Sequence, residues 1–496
     1  MIGWIGDFFR FWWALFYWNI RKTWFRLRGA HRDDCPCQNY SDSGVAYQSR
    51  CEAIVHWQQP ARFRRVCPLL VQTPEGWRCS AEAERVRPFW GRATGYAGSA
   101  LLVCYLLGTA VAYFSLHAAH YDTGYLTVAW PPHWKELRGA QERVYSARAQ
   151  AALAKGNFQE AILSLEMVCQ LNPHNYSAGL ALAGLMQASN QPYVSEHVYE
   201  RLMHDVPEHR LQTAQIWFRT LLARGAYERI MPLAAVMLSE DPEQRGAWLN
   251  ALLFSARQSR ASQFLAQVQQ ENPHLPEWCT ELINLEQLLL DGRMETALPR
   301  LTRTYRPVPA DYVPYFQVER LLLEGRADEA NTLLTAYGSR LPADEAGFLR
   351  LRVYEAKRWT SLLNPEFETL LQFPMTPRLA AEFCAYLVAY PAAGPLAGYF
   401  DRFTATGPAL SAETVPLYQA TYLAAALAGD NGRAEKIRAQ IMAFTSSDAR
   451  VLGGLVELLK TGKPDPRFAR ILPLVPLPTE VVYTIVERQD VAAPTK

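Results

Sequence analysis

The chain has 496 residues and a formal net charge of +2, with 49% hydrophobic and 20% charged residues. Its Gly, Pro and charge contents exclude the collagen-like and largely disordered classes, so most of the chain is expected to fold. The charge is uneven, because residues 1–92 carry 14 Lys or Arg against 8 Asp or Glu, and the remainder carries 36 against 40. Since the basic part adjoins an apolar segment and forms no separate basic domain, nucleic-acid binding is not expected.

Residues 1–34 are rich in aromatic and basic side chains. The stretch 2–20 has neither the basic start nor the cleavage site of a secretory signal, and it contains Asp7 and Arg10. Its Trp and Phe residues, followed by Arg21 and Lys22, favour a helix lying in the membrane interface. A true first membrane span and a hydrophobic helix packed on protein remain the alternatives.

Residues 35–92 form a cysteine-rich module, which we expect to be cytoplasmic. It contains five of the nine cysteines, namely Cys35, Cys37, Cys51, Cys67 and Cys79. Reduced thiols close together in sequence can hold tetrahedral zinc, which would give a small segment a folding nucleus. Unliganded thiols, or disulfides if the topology is inverted, are the alternatives. These cysteines are therefore candidate metal ligands, and zinc is the cofactor that their chemistry suggests.

Residues 93–121 contain no Asp, Glu, Lys or Arg over 29 positions. About 20 apolar residues are enough to cross a bilayer, so this segment is predicted to be a transmembrane helix. Gly91, Gly95 and Ser99 recur every four residues, a pattern that allows close helix approach and a homodimer, although a lone helix is the alternative. Basic residues flank its N-terminal side. This predicts that the N-terminus lies in the cytoplasm and that the chain after the helix lies outside, in the periplasm if the source is bacterial.

A linker at 122–134 precedes a helical array at 135–460 with a recurring glycine turn. Gly156, Gly225, Gly292 and Gly325 are separated by 69, 67 and 33 residues, which are multiples of about 34. Prolines keep the same spacing at Pro173, Pro207, Pro242, Pro273, Pro309 and Pro342.

This pattern resembles the tetratricopeptide repeat family, whose unit is a helix–turn–helix of 34 residues. Residues 142–175 carry the signature best, through Ala149, Gly156, Phe158, Ala161, Leu165 and Pro173. The resemblance implies a mainly α fold, an α-solenoid of about eight helix pairs, preceded by the transmembrane helix and the cysteine-rich module. Each pair buries its apolar face only by stacking on its neighbours.

The resemblance also implies a concave groove lined by the first helix of each pair. The ninth repeat positions point into that groove and give the candidate partner-binding residues Gln150, Arg219, Asn250, Glu286 and Glu319. Such a groove suits an extended peptide or a helix of a protein partner. Ordinary surface or core positions are the alternative for each residue.

The tail at 461–496 is rich in proline and is not expected to continue the stack. Residues 479–489 are β-branched, so we expect an edge strand or packing along the last repeat, followed by a frayed end.

No nucleotide-binding loop, nucleophile elbow or zinc-protease motif occurs in the sequence, so an enzyme is not expected. The sequence favours a membrane-anchored interaction scaffold with partners in the bilayer and in another protein. A transmembrane metal, redox or signalling sensor, or an accessory subunit of a membrane enzyme, remains the alternative.

The predicted topology can be tested with fusions to a phosphatase that works only after export. We expect activity when the fusion follows residue 140 and none when it follows residue 60, because the basic flank stays in the cytoplasm. The reverse result would place the array in the cytoplasm.

Overall fold

The computed structural model describes residues 70–73, 76–79, 90–118, 121, 123–445, 450–463 and 465–491, with Trp13, Phe16, Ile20 and Leu27. Those four residues have helical backbone, and the rest of the predicted interfacial helix lies outside the described residues. The chain forms two compact units, Met1–Val144 and Tyr145–Lys496, which are described separately.

The first unit contains a hairpin and a long apolar helix. Strands β1 (Leu70–Thr73) and β2 (Gly76–Cys79) pair antiparallel, with Leu70 opposite Cys79. Helix α1 (Trp90–Ala118) includes 21 residues, Gly98–Ala118, with a mean hydropathy of 1.8 and no burial within the structure. By length and composition this helix can cross a membrane.

Helix α2 (Tyr125–Ala129) packs on the second half of α1. The hydroxyls of Thr109 and Tyr125 lie 3.0 Å apart, and the rings of Tyr113 and Tyr125 meet edge to face at 5.8 Å. Tyr105 donates a hydrogen bond to the carbonyl oxygen of Ala129. These contacts hold the chain that leaves α1 against that helix.

The second unit is an α-solenoid, and the mainly α prediction is confirmed. Helix α3 (Trp134–Ala154) crosses the boundary between the units, and its residues from Tyr145 onward belong to the second. The consecutive helix pairs are α3/α4 (Trp134–Ala154, Phe158–Leu171), α5/α6 (Tyr176–Ala188, Pro192–Asp205), α7/α8 (Arg210–Arg224, Tyr227–Glu240), α9/α10 (Arg245–Ser259, Ser262–Glu271), α11/α12 (Glu277–Leu290, Met294–Leu301), α13/α14 (Tyr312–Leu323, Ala327–Tyr337), α15/α16 (Ala343–Lys357, Thr360–Leu371), α17/α18 (Pro377–Ala389, Ala393–Thr406) and α19/α20 (Val415–Leu427, Asn431–Thr445). The first helices stack on one another, since α9 contacts α11, α13 contacts α15 and α17 contacts α19. They form the inner row of the solenoid.

Left-handed turns set the repeat. Gly156 and Gly225 have φ of 72° and 67°, which glycine adopts without steric cost. Where the sequence has no glycine, Asn190, Arg260 and Arg358 take the same conformation, with φ between 51° and 58°. Asn190 lies between Gly156 and Gly225, and Arg260 lies between Gly225 and Gly292, so these two residues form the turns halfway along the intervals of 69 and 67 residues. Arg358 forms the next turn after Gly325, where the sequence repeat is no longer clear.

Side chains also fix where helices begin. Asn157 accepts a hydrogen bond from the backbone N–H of Glu160 (3.3 Å) and donates one to its carboxylate (3.0 Å). Thr376 caps α17 by accepting from the N–H of Leu379 (3.2 Å). Such caps satisfy backbone donors that the first helical turn leaves open.

The C-terminal segment differs from the sequence-based expectation. Helices α21 (Arg450–Thr461), α22 (Phe468–Ile471) and α23 (Thr479–Val491) follow α20. Residues 479–491 are thus a helix and not an edge strand, and α23 packs on α7 and α17 of the inner row. The expectation was wrong because tertiary burial overrides the β-propensity of valine and isoleucine.

Four aliphatic side chains anchor α23. Val481, Val482, Ile485 and Val486 are at most 8% exposed, and their i, i+1, i+4, i+5 spacing gives one helix face. At about 1.5–3 kcal/mol for each buried side chain, they contribute roughly 6–12 kcal/mol as an upper bound. Arg488 also donates to the carbonyl oxygen of Val388 in α17. Helix α23 is therefore a fixed part of the core.

Replacing Ile485 with Ala should destabilise the second unit by about 2–5 kcal/mol, because the substitution leaves a cavity in a closed site. Leu474→Ala is the matched control, since Leu474 is 41% exposed and belongs to the same segment. It should change stability by less than about 0.5 kcal/mol. Urea unfolding of the full chain in a neutral detergent measures both, and equal effects would contradict the docked position of α23.

Candidate functional site

A pocket of about 580 Å³ lies on the inner side of the solenoid, between the inner row and α23. We call it the inner pocket. Helices α7, α9, α13, α15 and α17 supply one wall, and residues 479–487 of α23 supply the other. Its volume is within the range of about 300–1,000 Å³ that is usual for ligand sites.

Aromatic rings form much of the inner pocket. Phe254 and Tyr483 meet edge to face at 4.9 Å, and Phe218 lies 6.2 Å from Tyr483. The rings of Tyr312 and Tyr315 stack at 6.0 Å. Burial raises the pKa of Tyr312, Tyr315 and Tyr483, so these hydroxyls stay protonated at neutral pH.

Acidic side chains outnumber basic ones in the inner pocket. Its arginines among the described residues are Arg219, Arg352 and Arg378, and its carboxylates belong to Asp311, Glu319, Asp344, Glu345, Glu382, Glu480 and Glu487. Because seven carboxylates face three guanidinium groups, the lining has a formal excess of four negative charges. The inner pocket is therefore acidic, although the chain as a whole is near neutral.

Each of the three arginines has a partner. Arg219 donates to the hydroxyl of Thr479 (3.3 Å), which ties α7 to α23. Arg352 donates to the hydroxyl of Tyr315 (3.3 Å) and lies 5.5 Å from the centre of that ring. Arg378 forms an ion pair with Glu345. The guanidinium groups are thus held at the wall.

Burial affects two of these carboxylates, those of Glu382 and Glu319. Burial raises the pKa of Glu382, with the charge of Arg352 opposing this effect and that of Glu480 adding to it. Glu319 is 9% exposed, and its Oε2 atom has no hydrogen-bond partner in the described part of the chain. The Tyr483 hydroxyl is likewise unpaired among these residues. Unsatisfied buried polar atoms of this kind are costly.

Behind the inner pocket lies an ion cluster in which Glu286, Glu319 and Arg320 are buried and Arg257 is half-buried. Arg257 contacts Glu286 at 3.2 Å and Glu319 at 3.5 Å, and Arg320 contacts Glu286 at 3.2 Å. Burial opposes the charge of Arg257, but the two carboxylates outweigh it and raise its pKa. For Arg320 burial prevails over the attraction of Glu286, and its pKa is lowered. The cluster joins α9, α11 and α13 and fixes the position of Glu319.

The structure separates the sequence-predicted groove residues. Arg219, Asn250 and Glu319 line the inner pocket, where Asn250 accepts a hydrogen bond from Tyr312 (3.1 Å). Gln150 is exposed on α3, away from this pocket. Glu286 is fully buried, so its position in the groove requires correction: it points into the ion cluster. We therefore assign Glu286 to the packing of the array and not to partner binding.

Sequence reasoning missed Glu382, Glu480 and Tyr483. Glu382 lies where the repeat register is blurred, and the other two belong to the segment that was expected to form an edge strand or to pack along the last repeat. No periodic signal connects α23 with helices more than 250 residues earlier in the chain. Only the fold brings these side chains to one place.

The metal-site candidates remain a prediction. Cys35, Cys37, Cys51 and Cys67 lie outside the described residues, and Cys79 ends β2. Within the described ranges no group of three or more His, Cys, Asp or Glu residues could hold a metal ion. The cysteines in the array, Cys169, Cys279 and Cys384, are buried free thiols whose pKa is raised by burial.

No protein-family model matches the chain, and no curated protein matches it. The matching solved structures include the crystal structure of the APC/C hetero-tetramer Cut9-Hcn1. That likeness has 13% sequence identity and a TM-score of 0.27, and it covers 81% of this chain and 89% of the other. A TM-score at this level supports no functional inference, so the solenoid assignment rests on the helix pairs described above.

Glu286→Gln should destabilise the array by about 3–5 kcal/mol, because it leaves the buried Arg320 and the half-buried Arg257 without their shared carboxylate. Lys460→Gln is the control, since Lys460 and Glu457 form an exposed pair at 3.9 Å. Exposed pairs contribute less than about 1 kcal/mol. Chemical denaturation compares the two variants, and a Glu286 variant as stable as the control would disprove the structural role of the cluster.

Proposed function

We propose that this protein is a membrane-anchored interaction scaffold with no catalytic role of its own. In this proposal α1 crosses the bilayer and the solenoid binds a protein partner on the outer side of the membrane. The observation that carries the proposal is the inner pocket, a concave, aromatic and acidic site that α23 borders and does not fill.

The membrane part of the proposal is supported by the surface of α1. Leu101, Leu107, Val111 and Phe114 are each more than 60% exposed. Apolar side chains in such number are unfavourable in water and favourable in lipid. The uneven basic flanks supply the proposed orientation, with the cysteine-rich module in the cytoplasm.

The binding part of the proposal is supported by the architecture of the inner row. Stacked first helices create a continuous surface to which several repeats contribute side chains. Packing and the ion cluster hold these side chains in place, so a partner meets a preorganised site. Preorganisation lowers the entropic cost of binding.

A photo-crosslinking amino acid at Ala247 tests the proposed binding face. Ala247 is exposed on α9 and lines the inner pocket, so a bound partner should be crosslinked there in intact membranes. The same probe at Val236, which is 49% exposed on the outer helix α8, is the control. Crosslinks visible on gels from position 247 alone are expected. No crosslink at 247, or equal yields at both positions, would contradict the scaffold proposal.

A further inference from the structure

Helix α23 restricts which part of the concave surface a partner can use. Its apolar face is buried against α7 and α17, and α22 and the turn at Leu472–Leu474 also contact α7. A partner helix cannot replace α23 without exposing this core. The space that remains for a ligand is the inner pocket beside α23.

The charge of that space selects its ligand. Among the residues that line it, Glu345 is paired with Arg378, and Glu319 is paired with Arg257 behind the wall. The five other carboxylates of the lining outnumber its two other arginines, so an entering anion would be repelled and a cation attracted. Glu480 projects from α23 and Glu382 from α17, on opposite walls. Burial raises the pKa of Glu382, and the charge of Glu480 adds to this effect while that of Arg352 opposes it. A cation between these walls would relieve that repulsion.

A second observation is independent of the charge count. Glu319 and Tyr483 both line the inner pocket, and the buried Oε2 atom of Glu319 and the Tyr483 hydroxyl have no hydrogen-bond partner in the described residues. The other carboxylate oxygen of Glu319, Oε1, contacts Arg257 at 3.5 Å. A ligand with several N–H donors can satisfy both groups. Both oxygen atoms can accept hydrogen bonds, and an ammonium or a guanidinium group supplies three to five N–H donors.

The walls favour an organic cation over a metal ion. Tyr312, Tyr315, Tyr483 and Trp248 present rings, and aromatic faces attract ammonium and guanidinium groups. The guanidinium group of Arg352 already makes this contact with Tyr315 at 5.5 Å. The described residues offer no cluster of three metal-ligating side chains.

We propose that the inner pocket binds the lysine or arginine side chains of a basic segment from a protein partner. This inference rests on the proposed scaffold function and names the chemistry of the partner. The pocket volume accommodates a side chain together with part of its backbone, and the flanking carboxylates meet further basic residues of the segment.

Fluorescence anisotropy on the full chain in a neutral detergent tests this assignment. The probe is a labelled 12-residue peptide of alternating Lys and Ala, compared with a Glu and Ala peptide of the same length. We expect saturable binding of the Lys peptide alone, weakened by added salt. Binding should also weaken as the pH falls through the raised pKa of Glu382, whose surroundings include Arg352, Arg378, Glu345 and Glu480.

Substitutions in the lining test whether the peptide binds in the inner pocket. Glu480→Gln should raise the Kd about tenfold, which corresponds to a loss of about 1.4 kcal/mol of binding free energy. Glu319→Gln should also raise the Kd. If this substitution of a buried residue impairs folding, the Glu480→Gln result still decides the test. Glu457→Gln is the matched control, because its side chain is 78% exposed and lies outside the inner pocket.

Three results would overturn the assignment: no saturable binding of the Lys peptide, equal binding of the two peptides, or an unchanged Kd in Glu480→Gln. These results leave the scaffold proposal intact if the probe at Ala247 still captures a partner. If the probe at Ala247 captures no partner while the Lys peptide binds normally, the result would count against the scaffold proposal and not against the basic ligand.

Discussion

The packing of α23 against α7 and α17 is the contact on which the rest of the array depends. In an ordinary solenoid each repeat contacts only its neighbours, so stability is nearly a sum of local contributions. Here a helix at the end of the chain buries its apolar face on helices that precede it by about 100 and 260 residues. The contact ties early and late repeats together, fixes the width of the inner surface and leaves the inner pocket at its edge.

The same inner surface contains polar groups that an optimally stable core would avoid. Glu286 and Arg320 are buried beside the half-buried Arg257, and such clusters seldom stabilise a protein more than apolar packing of equal volume. The unpaired oxygen of Glu319 and the raised pKa of Glu382 add to the cost. Proteins typically retain costs of this kind where a site is used for binding. Stability from the aliphatic face of α23 and from the stacked pairs offsets them.

The repeat pattern was readable from the sequence because glycine turns and closing prolines recur at a constant interval. It was readable only in part, since Asn190, Arg260 and Arg358 adopt the left-handed turn without being glycine. Arg219, Asn250 and Glu319 could be assigned to the inner surface from their repeat position alone. Glu286 occupies the same repeat position, yet it is buried, because Arg257 and Arg320 of neighbouring helices close over it.

The sequence alone determined the features that depend on local pattern and composition: an apolar helix of membrane-spanning length, basic residues before it and a helical repeat of about 34 residues after it. Tertiary structure decided the path of the C-terminal segment, the burial of Glu286 and the acidic character of the inner pocket. The reason is physical. Helical periodicity and turn geometry are set within a few residues, whereas the position of α23 depends on apolar surfaces that become neighbours only after the solenoid has curved.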